Sequence, residues 1–349
     1  MSPSPTKSSP TPAGTGNASA PRTNPLTQLT RVREFALLVF IVVLALILSV
    51  TSSSFASTGN LIAVALGLAS SGIVATGMLV TLAAGGVDLS VGSVLALGGV
   101  IAAVAVNAGV PVPLAFALAI LCGSLIGLIN GLLITRVGIN PLITTLGTMG
   151  IARGAAYVIT QGSPIGGLPD SFGYVGQNDF LGLPLPVWVL AAVVLVADFL
   201  MRRLAWARQV YYVGGNEAAA RLSGIAADRV KLRVYVICST LAALAGVLSA
   251  SRFSVAAPSE GLGIELIAIA GGVIGGASLA GGQGRVLGAF LGVLLVAMVN
   301  NAMVLYQVPV YWQQMVSGSI LLVAVTSDIL SQQLRRRRAL RVTRAAPTA

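Results

Sequence analysis

Between Phe35 and Val87 there is no Asp, Glu, Lys or Arg, and between Leu89 and Thr135 there is again none. A single acid, Asp88, separates the two runs. At ~1.5 Å per residue each run is far longer than one crossing of a ~30 Å hydrocarbon core. Each must therefore fold as several apolar helices, since helices and closed barrels alone satisfy their own backbone in lipid. Charged residues are 9% of the chain and hydrophobic ones 56%, whereas an ordinary soluble domain is about a quarter charged. The chain reads as an all-α polytopic membrane protein.

Breaker residues divide the runs. Ser52, Ser53, Ser54, Gly59 and Asn60 split the first; Asn107, Gly109, Pro111 and Pro113 split the second. The predicted spans are 34–52, 60–82, 91–107, 113–135, 141–160, 186–201, 234–251, 264–280, 286–305 and 311–329. About ten crossings result, one of which could be a re-entrant pair. Residues 1–30, rich in Ser, Pro and Thr, read as a disordered cytoplasmic tail. They lack the apolar stretch of a signal peptide, so Phe35 opens a retained first span. The apolar membrane domain is 31–330, with a basic cytoplasmic tail at 331–349.

Charge sets the orientation. The segments 1–33, 202–233 and 335–344 hold 17 of the 21 Lys and Arg. Segment 161–185 holds none, but carries Asp170 and Asp179. With the N-terminus inside, six crossings bring the chain to the cytoplasm at 202–233 and four more at the basic tail, as the positive-inside rule requires. The net charge of +11 is thus explained by cytoplasmic ends and needs no nucleic acid.

The motif from Leu82 to Val100 interrupts this pattern. Gly85, Gly86 and Gly92 bracket Asp88, with Ser90 and Ser93 beside it. Glycine tolerates a helix that stops and restarts, and Asp or Ser can cap the new N-terminus. Asp88 is then either a pathway or gate residue, because acids inside membranes are costly, or a cap on the orphan amides of the next helix. Its place near the cytoplasmic end of the second span favours the cap. A similar G-G-x-x-L-x-x-G pattern recurs from Gly275 and Gly276 to Gly282. Paired broken helices around one pathway are common in transporters. Asn130, Asn300 and Asn301 could hydrogen-bond a polar ligand or a neighbouring helix, and Asn140 before Pro141 reads as a helix end. Arg153, Arg252 and Arg285 read as interfacial and snorkelling. Glycines such as Gly77, Gly98 and Gly271 read as close helix contacts.

Segment 213–226 reads as a short capped helix in a cytoplasmic loop. Asn216 suits the N-cap, Glu217 the first turn and Gly224 the stop. Ala218, Ala219, Leu222 and Ile225 share one face. On physical grounds alone the knob either docks into a partner's groove or lies back on the membrane surface.

Several classes are excluded. The chain has no histidine, so His-based acid–base chemistry and His metal ligation are absent. Cys122 and Cys238 lie inside apolar runs and read as packed residues. There is no catalytic constellation, no metal cluster and no G-x-x-x-x-G-K-[ST] phosphate loop. Paired intramembrane acids that would relay protons or bind Na⁺ are also missing. A stand-alone secondary carrier and a membrane scaffold without transport remain as other classes.

The segments 84–97 (A-G-G-V-D-L-S-V-G-S-V-L-A-L), 139–149 (I-N-P-L-I-T-T-L-G-T-M), 214–225 (G-G-N-E-A-A-A-R-L-S-G-I) and 275–289 (G-G-A-S-L-A-G-G-Q-G-R-V-L-G-A) resemble the signatures of ribose-type ABC importer permeases. They occur in the family's order across most of residues 35–328. The resemblance implies a bacterial inner-membrane subunit of a simple-sugar importer, acting as a homodimer or with a paralogue. It implies a sugar-type ATPase subunit carrying the ATP and Mg²⁺, a soluble substrate-binding protein, and no cofactor in this chain. It further implies that Gly215, Asn216, Glu217, Ala218, Ala219, Ala220, Arg221, Leu222, Gly224 and Ile225 form the coupling helix. Gly85, Gly86, Asp88, Ser90, Gly92, Asn130, Gly275 and Gly276 would shape the pathway or gate. Segments 161–185 and 253–265 would face the binding protein. Relatives of this type also handle nucleosides, inositol or autoinducer-2, and the sequence does not separate these substrates.

Overall fold

Apolar runs become helices here because peptide groups at membrane depth find partners only in one another. A computed structural model describes residues 25–345. Its elements are α1 Pro25–Thr51, α2 Thr58–Ala83, α3 Val91–Asn107, α4 Val112–Leu132, α5 Pro141–Thr160, α6 Asp170–Gln177, β1 Asp179–Phe180, β2 Leu183–Pro184, α7 Leu185–Arg203, α8 Ala205–Gly215, α9 Glu217–Leu222, α10 Ala227–Phe253, α11 Ile264–Ile274, α12 Val286–Leu305 and α13 Val310–Ala345. A π-helical segment, Leu133–Val137, prolongs α4 and stops at left-handed Gly138. Among the described residues eight helices have the length and hydropathy of a membrane crossing, and α3 and α11 are apolar but shorter. All ten predicted apolar elements are therefore present as helices. The two strands form a tight antiparallel hairpin, Asp179 opposite Pro184 and Phe180 opposite Leu183.

The ends of the helices alternate as the parity argument expects. At one end Arg285 meets Glu34 at 3.1 Å, and the Gly282 amide donates to the Ala83 carbonyl at 3.0 Å. The basic segment carrying α8 and α9 lies here. At the other end the Thr51 and Tyr306 hydroxyls meet at 2.6 Å, and Ile165 pairs with Ala256 as an isolated bridge. The Ser251 hydroxyl there accepts the Gly176 amide at 2.8 Å, tying α6 onto α10.

Helix α10 is the centre. It packs on α2, α3 and α4, and Val234, Cys238, Ala242 and Ala245 are fully buried. Small residues let the backbones approach. A methyl placed on Gly127 or Gly131 of α4 would come within 2.9 Å of an α10 Cα, Val236 or Leu232 respectively. Outer helices instead expose apolar rows, such as Phe35, Phe40, Leu46 and Val50 on α1, which suits contact with lipid.

Several expected boundaries are corrected. Residues 1–24 lie outside the described residues, but 25–30, assigned to the disordered tail, form the first turns of α1. Pro25 costs nothing in a first turn, where its missing amide would have had no partner. The span expected at 264–280 ends at Ile274, because Gly276 takes a φ of +102°. The span expected at 234–251 begins at Ala227, and the basic tail from 331 continues α13 as helix to Ala345. Charge marks where lipid ends and does not mark where a helix ends, since Arg, Lys, Gln and Leu are good helix formers.

Segment 254–263 departs furthest from expectation. It folds back into the bundle between α10 and α11, and Ala256 and Pro258 are buried. Helix α11 is then ~16 Å long, about half of a bilayer core. Gly261 meets the backbone of Gly92, in the first turn of α3, so the N-termini of both short helices meet inside the protein. Each unwound segment completes the crossing that its short helix begins.

Candidate functional site

Three glycine motifs that are far apart in sequence converge at the basic end. The turn after α2 (84–90), the turn after α11 (275–285) and Gly214–Gly215 at the end of α8 touch one another. A methyl on Gly281 would lie 2.8 Å from the Gly85 Cα, and one on Gly282 would lie 2.7 Å from the Gly215 Cα. Gly214 sits against the Ala83 carbonyl with no space for a side chain, and a methyl there would also lie 2.7 Å from the Gly282 amide. The Tyr211 hydroxyl of α8 donates to the Gly284 carbonyl at 3.0 Å. Burial pushes this phenol up to about 12, so it remains a donor at neutral pH.

From this junction the chain passes directly into α9. The Asn216 side chain accepts the Ala219 amide at 3.0 Å, as an N-cap does. Gly224 adopts a φ of +80° and stops the helix. An ion-pair cage stiffens it. Arg221 bonds Glu217 at 2.8 Å and also pairs with Asp228, and Lys231 pairs with Glu217. The Lys231 hydrogen bond, assisted by Arg221, holds the Glu217 carboxyl below the usual carboxylate range. Ala220 faces inward, while Leu222 is 91% exposed. Ala218 and Ala219 are exposed beside it and Ile225 is half-buried. Three of the four residues expected on one face thus form an uncovered apolar tip.

Asp88, Ser90 and Asn130, read separately from the sequence, form one buried network. Asp88 accepts the Ser90 amide at 2.9 Å and the Ser90 hydroxyl. It also accepts the Ser239 hydroxyl of α10 at 3.3 Å, and Asn130 of α4 donates to Ser90 at 3.1 Å. All four residues are fully buried. The expected helix cap is only partly realised. Ser90 occupies the N-cap of α3 but caps no helix amide with its side chain; its hydroxyl donates to Asp88 and its oxygen accepts from Asn130 instead. Asp88 also lies deeper than its position after α2 implied. Ser239 is twelve residues into α10, or ~18 Å along it.

The remaining expected residues fall elsewhere. Gly86 faces the Tyr235 ring, and Gly92 lies against Gly261 and Glu265. Gly275 presses on the Gly288 backbone of α12, a helix contact away from the Asp88 network, and Gly276 supplies the sharp turn behind it. Asn140 caps α5 by accepting the Leu142 amide. Asn301 exchanges two hydrogen bonds with Asn60. Arg153 does not snorkel: its guanidinium donates to the Pro258 and Glu260 carbonyls at 2.6 and 2.7 Å. Sequence reasoning missed Ser239, Tyr211 and Gly214 as partners of the motifs. A small residue in an apolar helix looks the same whether it meets lipid, helix or acid.

Known proteins supply the comparison. The family described as branched-chain amino acid transport system / permease component matches residues 60–325. The ribose import permease protein RbsC of Escherichia coli (strain K12) is 40% identical over 295 residues, 83% of this chain and 92% of the relative. That of Bacillus subtilis (strain 168) is 39% identical over 288 residues, 82% of this chain and 89% of the relative. The L-arabinose ABC transporter permease protein AraH of Azospirillum brasilense is 37% identical over 304 residues, 87% of this chain and 89% of the relative. No solved structure matches the chain.

Proposed function

This chain belongs to the permease-component family of branched-chain amino acid and related transport systems, and from that premise we propose that it translocates a neutral monosaccharide inward as the membrane subunit of an ATP-driven importer. It is a transport component of the bacterial cytoplasmic membrane and not an enzyme. The family description names amino acids, but the relatives named above, which align over about nine-tenths of their length, are ribose and L-arabinose permeases. A pentose of the ribose or arabinose kind is therefore the substrate proposed. ATP and Mg²⁺ would reside on a separate ATPase subunit, and a soluble binding protein would deliver sugar at the end carrying segment 161–185. Two permease copies, identical or paralogous, would enclose the path.

The observation that carries this reading is the mounting of α9 on the glycine junction. A groove on the ATPase accepts the tip formed by Ala218, Ala219 and Leu222. Movement of the tip passes through Asn216 to Gly214 and Gly215. Gly214 touches both Ala83 and Gly282, so one displacement reaches the ends of α2 and α11 together. The Asp88 network couples the 84–90 turn to α4 and α10. Gly85, Gly86, Asp88, Ser90, Gly92 and Asn130 act here as the hinge of a gate, and no direct contact of theirs with sugar is required. Gly275 and Gly276 act as the matching hinge at the end of α11.

In reconstituted complexes, Leu222→Glu and Glu217→Lys should leave insertion intact and lower sugar uptake at least about tenfold relative to ATP hydrolysis, the loss expected of a central contact. Normal coupling in both variants would falsify the assignment of α9.

A further inference from the structure

A cavity of about 490 Å³ opens in the half of the bundle nearer segment 161–185, away from the glycine junction. Helices α2, α10, α11 and α12 and the re-entering residues 260–262 enclose it. Its walls are largely apolar, with Phe253, Leu262, Ile264, Ile267 and Val304, and a few polar side chains converge on it. Glu260 accepts the Ser249 hydroxyl at 2.9 Å through one carboxylate oxygen. Arg252 lies beside the Phe253 ring, 4.8 Å from its centroid. Asn300 also lines the cavity; its Oδ1 is buried out of reach of water and has no hydrogen-bond partner among the described residues, which leaves its amide NH₂ to meet a ligand. Irregular backbone persists at membrane depth where protein buries it or where it lines a water-filled cavity, and residues 260–262 line this one. Apolar walls with few, placed polar groups are the make-up of a small-ligand site.

We propose that this cavity is a sugar-binding station of the permease, in which Glu260, Arg252, Ser249 and Asn300 bond the hydroxyls of a pentose and Phe253 and Leu262 cover its C–H face. The inference rests on the transport reading above and locates the substrate within it. A carboxylate beside a guanidinium and an amide can accept from and donate to vicinal hydroxyls, which a fatty-acyl occupant would leave unpaired at a cost. Arg153 acts as a positioning residue, since it grips the carbonyls of Pro258 and Glu260 and so holds the lining segment in place.

The test uses the full chain in lipid nanodiscs, with Cys122→Ser to remove the half-buried thiol and Ser70→Cys as a reporter in the wall. A small hydrophilic thiosulfonate should modify residue 70, and D-ribose or L-arabinose should slow the reaction as it occupies the cavity, by about tenfold at a concentration of about nine times its Kd. Protection by neither pentose, equal protection by L-leucine, or a thiol reached only by apolar reagents would each overturn the proposal, the last because it marks a lipid crevice. In the complete complex, Glu260→Gln and Asn300→Ala should cut pentose uptake by about tenfold, and with Asn300→Ala, which lies outside the segment expected to face the binding protein, the ATPase should still respond to that protein. Uptake equal to that of the parent in both variants overturns the cavity assignment and leaves the transport reading intact. A parent complex that moves neither pentose overturns the transport reading, and the ligand class of the cavity with it.

Discussion

At the scale of single residues, two positions decide between tolerance and failure. Gly214 has a carbonyl and an amide where a side chain would go, so Gly214→Val must push α8 away from α2 and the 281–285 turn. Overpacking of this kind costs ~1–3 kcal/mol. Gly214→Val should lower the melting temperature of the purified protein, whereas Gly147→Ala in α5, which faces open space, should not. Asp88 is the second position. Asp88→Leu leaves the Ser90 amide and two hydroxyls without their acceptor, at about 1–3 kcal/mol for each buried orphan. Asp88→Asn keeps an oxygen for the Ser90 amide and should lose markedly less. Melting of Asp88→Leu at the temperature of the parent would show that the network contributes nothing. The sequence exposed Asp88 as exceptional, since a lone acid in 100 apolar residues is visible at once. It could not show Ser239, because nothing about a serine in α10 distinguishes it until α10 is placed against the 84–90 turn.

At the scale of elements, α9 was legible almost to the residue. Its cap, its stop and its first-turn acid are local signals, and local signals survive translation into structure. Asn216→Ala should remove the cap at a cost of about 1 kcal/mol, seen as faster amide exchange across 217–222. Glu217 adds a pH dependence. Because its carboxyl is held below the usual range, its pairing with Lys231 and Arg221 is fully present above the unfolded carboxylate value of ~4.3. The contribution is lost as pH falls through the depressed folded value. Exchange protection of α9 should therefore be flat from neutral pH to about pH 5 and collapse only in stronger acid. Loss of protection already at pH 6 would contradict the ion-pair cage. The re-entrant segment 254–263 shows the opposite case. Its composition does not reveal which of its residues enter the bundle; Arg153, which donates to the Pro258 and Glu260 carbonyls, and Gly92, which leaves space for Gly261, hold it there.

At the scale of the whole molecule, the alternation of ends makes a direct prediction. Leu222 and Leu181 are 91% and 78% exposed at opposite ends of the bundle. In intact cells, a single cysteine at 181 should react with a membrane-impermeant maleimide, and one at 222 should react only after permeabilisation. The reverse pattern would invert the orientation. By itself the sequence determined the membrane class, the ten apolar elements and the capped helix α9, and its charge pattern supplies the orientation that the labelling tests. Each of these depends on transfer of side chains from water to lipid or on contacts within a few residues, and both are local properties. Only the tertiary structure decided that α11 is short, that the unwound leads of α3 and α11 meet at Gly92 and Gly261, and that three glycine motifs meet beneath α9. It alone placed Glu260, Arg252 and Asn300 around one cavity. Those outcomes depend on which backbone approaches which, and glycines or polar groups within apolar helices carry no mark of their partners until packing brings them together.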